Sequence, residues 1–253
     1  MITVLWGLHV ATIVEIALIV VAAGFVQASA GFGFALLAVP LLTLVVAPET
    51  AVVIAFLHGT CSSLLTAGRH HGHIERTDTR RLSIGAVLAM PLGALVLVTA
   101  SPEVLRILVG VATCGAATWM LLPHNRVPHA RSFTAPATVA VGAISGVLNT
   151  AVATNGPPLV VYLRARGLHG DSFRATISAV FTISNVVGLF ILLVAGAIHT
   201  PAVAAFLLTL GPAFLGWFFG NHAAKRLRTS HFVRMVDVVL LVSGLLAITR
   251  AFF

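Results

Sequence analysis

The chain of 253 residues is 58% hydrophobic and only 9% charged, with a mean hydropathy of +1.05, where a soluble domain carries roughly 25% charged residues. A soluble globular protein is excluded, and the formal net charge of +8 becomes a question of where the cations stand rather than a mark of nucleic-acid binding. Apolar runs recur from end to end, so residues 1–253 read as one all-α, polytopic transmembrane domain with no separate soluble unit.

Taken in chain order, the apolar runs are Thr12–Val26, Phe34–Ala47, Ala51–Ala67, Leu82–Thr99 and Val104–Leu122. The second half gives Ala135–Leu148, Pro157–Leu163, Phe173–Gly196, Pro201–Gly220 and Phe232–Arg250. Met1 to Leu8 carries no Lys or Arg ahead of the first run, so no cleavable signal peptide is expected and the first segment stays. Cys61 and Cys114 lie inside apolar runs and read as small buried hydrophobes, not a disulfide.

A helix over Thr12–Val26 would be about 22 Å long, too short for an untilted span, while one helix over Ile13–Ala47 would reach about 50 Å. A break is therefore required, and Gln27–Gly33 (QASAGFG) supplies it. The long stretch Ala135–Leu163 is interrupted in the same way at Asn149–Gly156 (NTAVATNG). In each, a glycine stands sixteen positions before a Pro-Leu pair, Gly24 before Pro40-Leu41 and Gly142 before Pro158-Leu159. This register points to an internal duplication, with repeat one at about residues 1–123 and repeat two at about 134–253. Each repeat then holds a broken or hairpin helix plus three spanning helices. Interrupted segments at matching positions of two halves mark a substrate site near the bilayer midplane.

Charge gives the topology. Arg69, Arg76, Arg80 and Arg81 follow the third segment, Arg126 and Arg131 the fifth, Arg164, Arg166 and Arg174 the seventh, and Lys225, Arg226, Arg228 and Arg234 the ninth, thirteen of the fifteen Lys and Arg. These loops share one face, the cytoplasmic one by the positive-inside rule, which leaves the N-terminus periplasmic. Five segments per half is an odd number, so the two repeats are inverted. If the broken segments are re-entrant, their tips approach from opposite faces.

Unpaired N–H groups and the positive dipole end at a broken helix favour an anion without a buried Lys or Arg. The first tip offers Gln27, Ser29, Gly31, Phe32 and Gly33 ahead of a helix beginning at Phe34. The second offers Asn149, Thr150, Thr154, Asn155 and Gly156, with Pro157 in a first-turn position where no hydrogen bond is lost. The competing reading is that the small residues only allow close helix packing and the polar ones cap each other. His58, with Ser62 and Ser63 about a turn on, is a titratable group that can face the site, or a neutral histidine hydrogen-bonded between helices. Thr182, Ser184 and Asn185 lie deep in the eighth segment, either lining the path or bonding a neighbouring helix. Arg174 opens that segment, where it either draws an anion to the inner mouth or snorkels to the headgroups.

No carboxylate sits mid-span: Glu15 is near an end, Glu49 and Glu103 are in turns, and Asp237 is about one turn into the last segment, so an acidic proton carrier is lacking. The tract RHHGHIE, holding His70, His71 and His73, reads as an ordinary polar loop, not a metal site. There is no G-x-x-x-x-G-K-[ST] phosphate loop, GFGF lacks the strand and the full dinucleotide fingerprint, and no nucleophile stands with a base. No enzyme activity, cofactor or metal is expected.

Three stretches together resemble the TauE/SafE-type sulfite exporter family, also called TSUP: GFVQASAGFGFALLAVPLL from Gly24, GAISGVLNTAVATNGPPLVVYL from Gly142, and FRATISAVFTISN from Phe173. The family's glycine-rich motif ending in Pro-Leu is matched by Gly24, Gly31, Gly33 and Pro40 and by Gly142, Gly146, Gly156 and Pro158, although a consecutive Gly-Gly is absent from both breaks. The resemblance implies a secondary transporter of sulfite, sulfonates or related organosulfur anions in the bacterial inner membrane. Alternating access by a monomer-sized unit is the expected mechanism, with a proton or a sodium ion as candidate coupling ion, membrane lipid as surroundings, and a homodimer left open. A passive anion channel, or a carrier of a small anion without sulfur, is the alternative.

Overall fold

The computed structural model describes residues 4–5, 8–121, 132–223 and 230–252. Among these the chain forms ten α-helices: α1 (Val10–Ala30), α2 (Phe34–Leu42), α3 (Pro48–Arg69), α4 (Arg76–Thr99), α5 (Pro102–Leu121), α6 (Ala135–Val152), α7 (Gly156–Ala165), α8 (Gly170–Val194), α9 (Thr200–Ala223) and α10 (Ser230–Thr249). A two-residue hairpin, β1 (Val4–Leu5) with β2 (Leu8–His9), precedes them. The ten helices correspond to the ten apolar runs. Six of them, α1, α3, α4, α6, α8 and α9, are long and apolar enough to cross a membrane. The loop cations Arg126, Arg131, Lys225, Arg226 and Arg228 lie outside the described residues, as do the side chains of Arg234 and Asp237.

The helices run further than the apolar runs do. α4 begins at Arg76, not Leu82, because a polar sequence beyond the hydrocarbon can continue a helix that the membrane has already nucleated. The breaks are correspondingly shorter than expected. α1 continues through Gln27 to Ala30 and α6 through Asn149 and Thr150 to Val152, so only residues 31–33 and 153–155 leave the helix. Polarity alone does not stop a helix; a left-handed residue does. Gly31 takes φ 88° and Ala153 φ 54°, and their N–H groups donate to the carbonyls of Gln27 and Asn149, each at 2.7 Å.

The molecule is apolar outside and carries amides inside. Leu88 and Phe190 are 73% and 66% exposed, whereas Gln27, His58, Asn149 and Asn185 are buried, the polarity expected of a bundle solvated by lipid. Its strongest helix pairings are α1 with α9 and α4 with α6, followed by α5 with α10 and α3 with α8. Numbering the second five helices after the first exchanges the first two pairs and maps each of the others onto itself. Small residues let the backbones touch at these crossings. A Cβ on Gly24 would stand 2.9 Å from the Ala213 carbonyl oxygen of α9, and one on Gly142 would collide with the Leu82 carbonyl of α4.

One charged cluster ties the end of the bundle. Tyr162 Oη donates to Asp78 Oδ1 at 2.8 Å, Arg166 Nε donates to Asp78 Oδ2 at 3.0 Å, and Thr138 Oγ1 lies 3.0 Å from Tyr162 Oη. Asp78 is 1% exposed, a depth at which a carboxylate needs such partners. The cluster joins the first turn of α4 to the end of α7 and the start of α6.

Candidate functional site

The two breaks meet around a cavity of about 30 Å³, more than the roughly 10–15 Å³ that one water requires. Gln27, Gly33, Phe34, Ala35 and Leu36 line it from the first half; Asn149, Ala153, Thr154, Asn155 and Gly156 line it from the second. Ala55, Phe56 and Gly59, midway along α3, and Phe181 and Asn185, midway along α8, complete the wall. A site halfway along two membrane-length helices lies at the depth where discontinuous helices place transported solutes. Among the described residues, no ionisable side chain lines it.

Each break contributes a different kind of donor. In α2 the first return bond runs from the Leu37 N–H to the Gly33 carbonyl at 3.1 Å, so the N–H groups of Phe34, Ala35 and Leu36 have no partner in the helix and face its open end. In α7, Pro157 and Pro158 bring no N–H, and side chains take over. Asn149 Nδ2 donates to Asn185 Oδ1 at 3.1 Å, and Ser145 Oγ donates to the Asn155 carbonyl at 2.9 Å. Thr154 Oγ1 donates to the Val152 carbonyl at 3.0 Å. Among the described residues two amide atoms remain open, both buried without a hydrogen-bond partner: the acceptor Gln27 Oε1 and the donor Asn155 Nδ2. Buried amide groups of this kind cost stability unless something bonds them.

Of the residues singled out in the sequence, Gln27, Gly33, Asn149, Thr154, Asn155, Gly156 and Asn185 converge on the cavity. Phe32 stands just behind it, edge-on to Phe173 with ring centres 6.2 Å apart and 3.5 Å from where a Gly156 Cβ would sit. The others brace the helices that carry the tips. Ser29 Oγ donates to the carbonyls of Phe25 and, across to α9, Gly220 at 2.7 and 3.2 Å. Thr150 Oγ1 donates to the Met90 carbonyl of α4 at 2.6 Å. His58 Nε2 lies 2.9 Å from Thr209 Oγ1 on α9, with its ring between Phe34 and Phe206, and Ser62 is buried one turn on. Gly31 lies under Arg174, whose guanidinium donates to the Ala28 carbonyl at 2.5 Å and to Asn221 Oδ1 at 3.5 Å. A cation on the last carbonyls of α1 offsets the negative end of that helix.

The wall residues of α3 and Phe181 escape a reading based on polarity. A small-residue signal was present at Ala55 and Gly59, four apart on one helix face.

The sulfite exporter TauE/SafE family matches residues 16–247, almost the whole chain and both breaks. The chain belongs to the TauE/SafE family. It is a multi-pass membrane transport protein, and the all-helical fold anticipated from its apolar runs is the one observed. Over 181 residues it is 28% identical to the probable inner membrane transporter protein TsaS of Comamonas testosteroni, an alignment covering 69% of this chain and 75% of that protein. No solved structure matches this TauE/SafE chain.

Proposed function

We propose that this TauE/SafE protein is a secondary transporter of a small sulfur oxyanion, sulfite or a sulfonate, which it carries across the inner membrane by alternating access. The observation that carries this reading is the convergence of the α2 N-terminus and the unpartnered amide donor Asn155 Nδ2 on one cavity with no ionisable side chain among its described lining residues. An oxyanion presents several acceptors at once, and neutral donors with a helix N-terminus can satisfy them while its charge remains uncompensated enough to leave again. The family's description and the TsaS relative support the sulfur chemistry and the inner-membrane location. The exchangeable helix pairings support two inverted repeats, and the positive-inside rule supports a periplasmic N-terminus.

Counterflow in proteoliposomes tests the whole reading. Vesicles preloaded with unlabelled sulfite or sulfonate should take up the labelled anion faster than empty ones, with thiosulfate and carboxylates as competitors. Flux without acceleration by preloading would make the protein a channel. Acceleration by carboxylates alone would remove sulfur from the proposal.

A further inference from the structure

Away from the transport cavity, α4 and α8 enclose a second concavity of about 410 Å³, open on its outer side. Arg76, Arg80, Ser83, Ile84 and Val87 line it along α4, and Ile183 of α8 forms the opposite wall. Their spacing places the α4 residues on one helix face. From Arg76 to Val87 that face runs about 16 Å, half the thickness of a hydrocarbon core of about 30 Å. Polarity changes in order along it: two exposed cations at the helix end, then a hydroxyl, then branched aliphatic side chains. The groove's exposed surface is almost wholly apolar along its length, so Arg76 and Arg80 line it with their aliphatic stems and hold their guanidinium groups at its rim.

The two ends are independently prepared. Neither Arg76 nor Arg80 belongs to an ion pair among the described residues, and the intervening Asp78 is turned away to Tyr162 and Arg166. Ser83 is 6% exposed, and its Oγ, buried at the neck of the groove, has no hydrogen-bond partner. The Glu75 N–H donates to Thr176 Oγ1 at 3.0 Å, fixing the head of α4 to α8 and with it the spacing of the walls.

We propose that this groove holds one anionic phospholipid. The phosphate meets Arg76 and Arg80, the ester region reaches Ser83, and an acyl chain lies between Ile84, Val87 and Ile183. A zwitterionic lipid would fill the apolar part equally well but gain less from the two guanidinium groups.

Native mass spectrometry of the full chain in detergent, titrated with phosphatidylglycerol, phosphatidylcholine or inorganic phosphate, tests this. One phosphatidylglycerol should be retained about tenfold better than phosphatidylcholine, and inorganic phosphate should not displace it. The double change Arg76→Gln with Arg80→Gln should abolish that preference. Arg250→Gln, just past α10, should keep it. Ile183→Trp, which fills the apolar section, should weaken retention of both lipids with the arginines intact, so this arm decides even if the double variant does not fold. Equal retention of the two lipids by the unaltered protein, displacement by inorganic phosphate, or undiminished retention in either the double variant or Ile183→Trp would overturn the proposal.

Discussion

At the first break α1 stops on Gly31, and Arg174 reaches across from α8 to take the Ala28 carbonyl. At the second, α6 stops on Ala153, and the Asn149–Asn185 pair and the Ser145 bond to Asn155 hold that tip. The following helices differ as well. α2 starts with three N–H groups that have no partner within the helix, whereas α7 has prolines at its second and third residues. The first break therefore offers the backbone N–H groups of α2 together with the Gln27 carboxamide, and the second the carboxamides of Asn149 and Asn155. On the proposed function the first tip meets charge and the second reads shape.

The sharpest way to break this division is Asn155→Asp, which exchanges the open Nδ2 for a carboxylate oxygen at nearly constant volume. A like charge in a buried cavity costs several kcal/mol, so anion flux in proteoliposomes should fall about 100-fold with the amount of folded protein unchanged. Retained flux would dissociate the second tip from the substrate. Gly31→Ala attacks the brace of the first tip: at φ 88° its Cβ would lie 2.8 Å from Arg174 Cγ, and a loss of about 2–3 kcal/mol is expected in a denaturant titration. The mirror experiment, Ala153→Gly, relieves a side chain held at φ 54° and should gain up to about 1 kcal/mol. A loss there would show that the two αL stops are not equivalent.

The smallest effect concerns the surroundings of Arg174. Burial, reinforced by the Arg174 charge and opposed by Asp171, holds His70 below its ordinary value of 6.5. The folded protein therefore resists protonating a group that the unfolded chain protonates readily, so this contribution to stability is lost as pH falls from 6.5 towards the folded value. His70→Gln should flatten the decline in thermal midpoint between about pH 7 and pH 5; an unchanged decline would remove His70 from the account.

Much of the fold was legible because lipid makes hydropathy a direct record of what crosses it. All ten helices and both breaks follow from apolar runs and their interruptions. Helix ends were less legible: Gln27 and Asn149 look like loop residues by polarity, yet each remains helical and turns its amide inward. Ser29, Thr150 and His58 are polar for the sake of neighbouring helices, and their sequence carries no sign of which partner they find. Asp78 went unremarked because a run of three arginines surrounds it, although its burial makes it the more demanding charge.

Where α1 crosses α9 and α4 crosses α6, glycines press backbone against backbone, and these are the two most extensive helix pairings of the fold. On the proposed alternating access each couple moves as a single beam. Residues 31–33 are carried at the end of one beam and residues 153–155 at the end of the other. On that proposal the cavity opens and closes as these two beams swing relative to each other, with the less extensively packed α2 and α7 as the compliant joints.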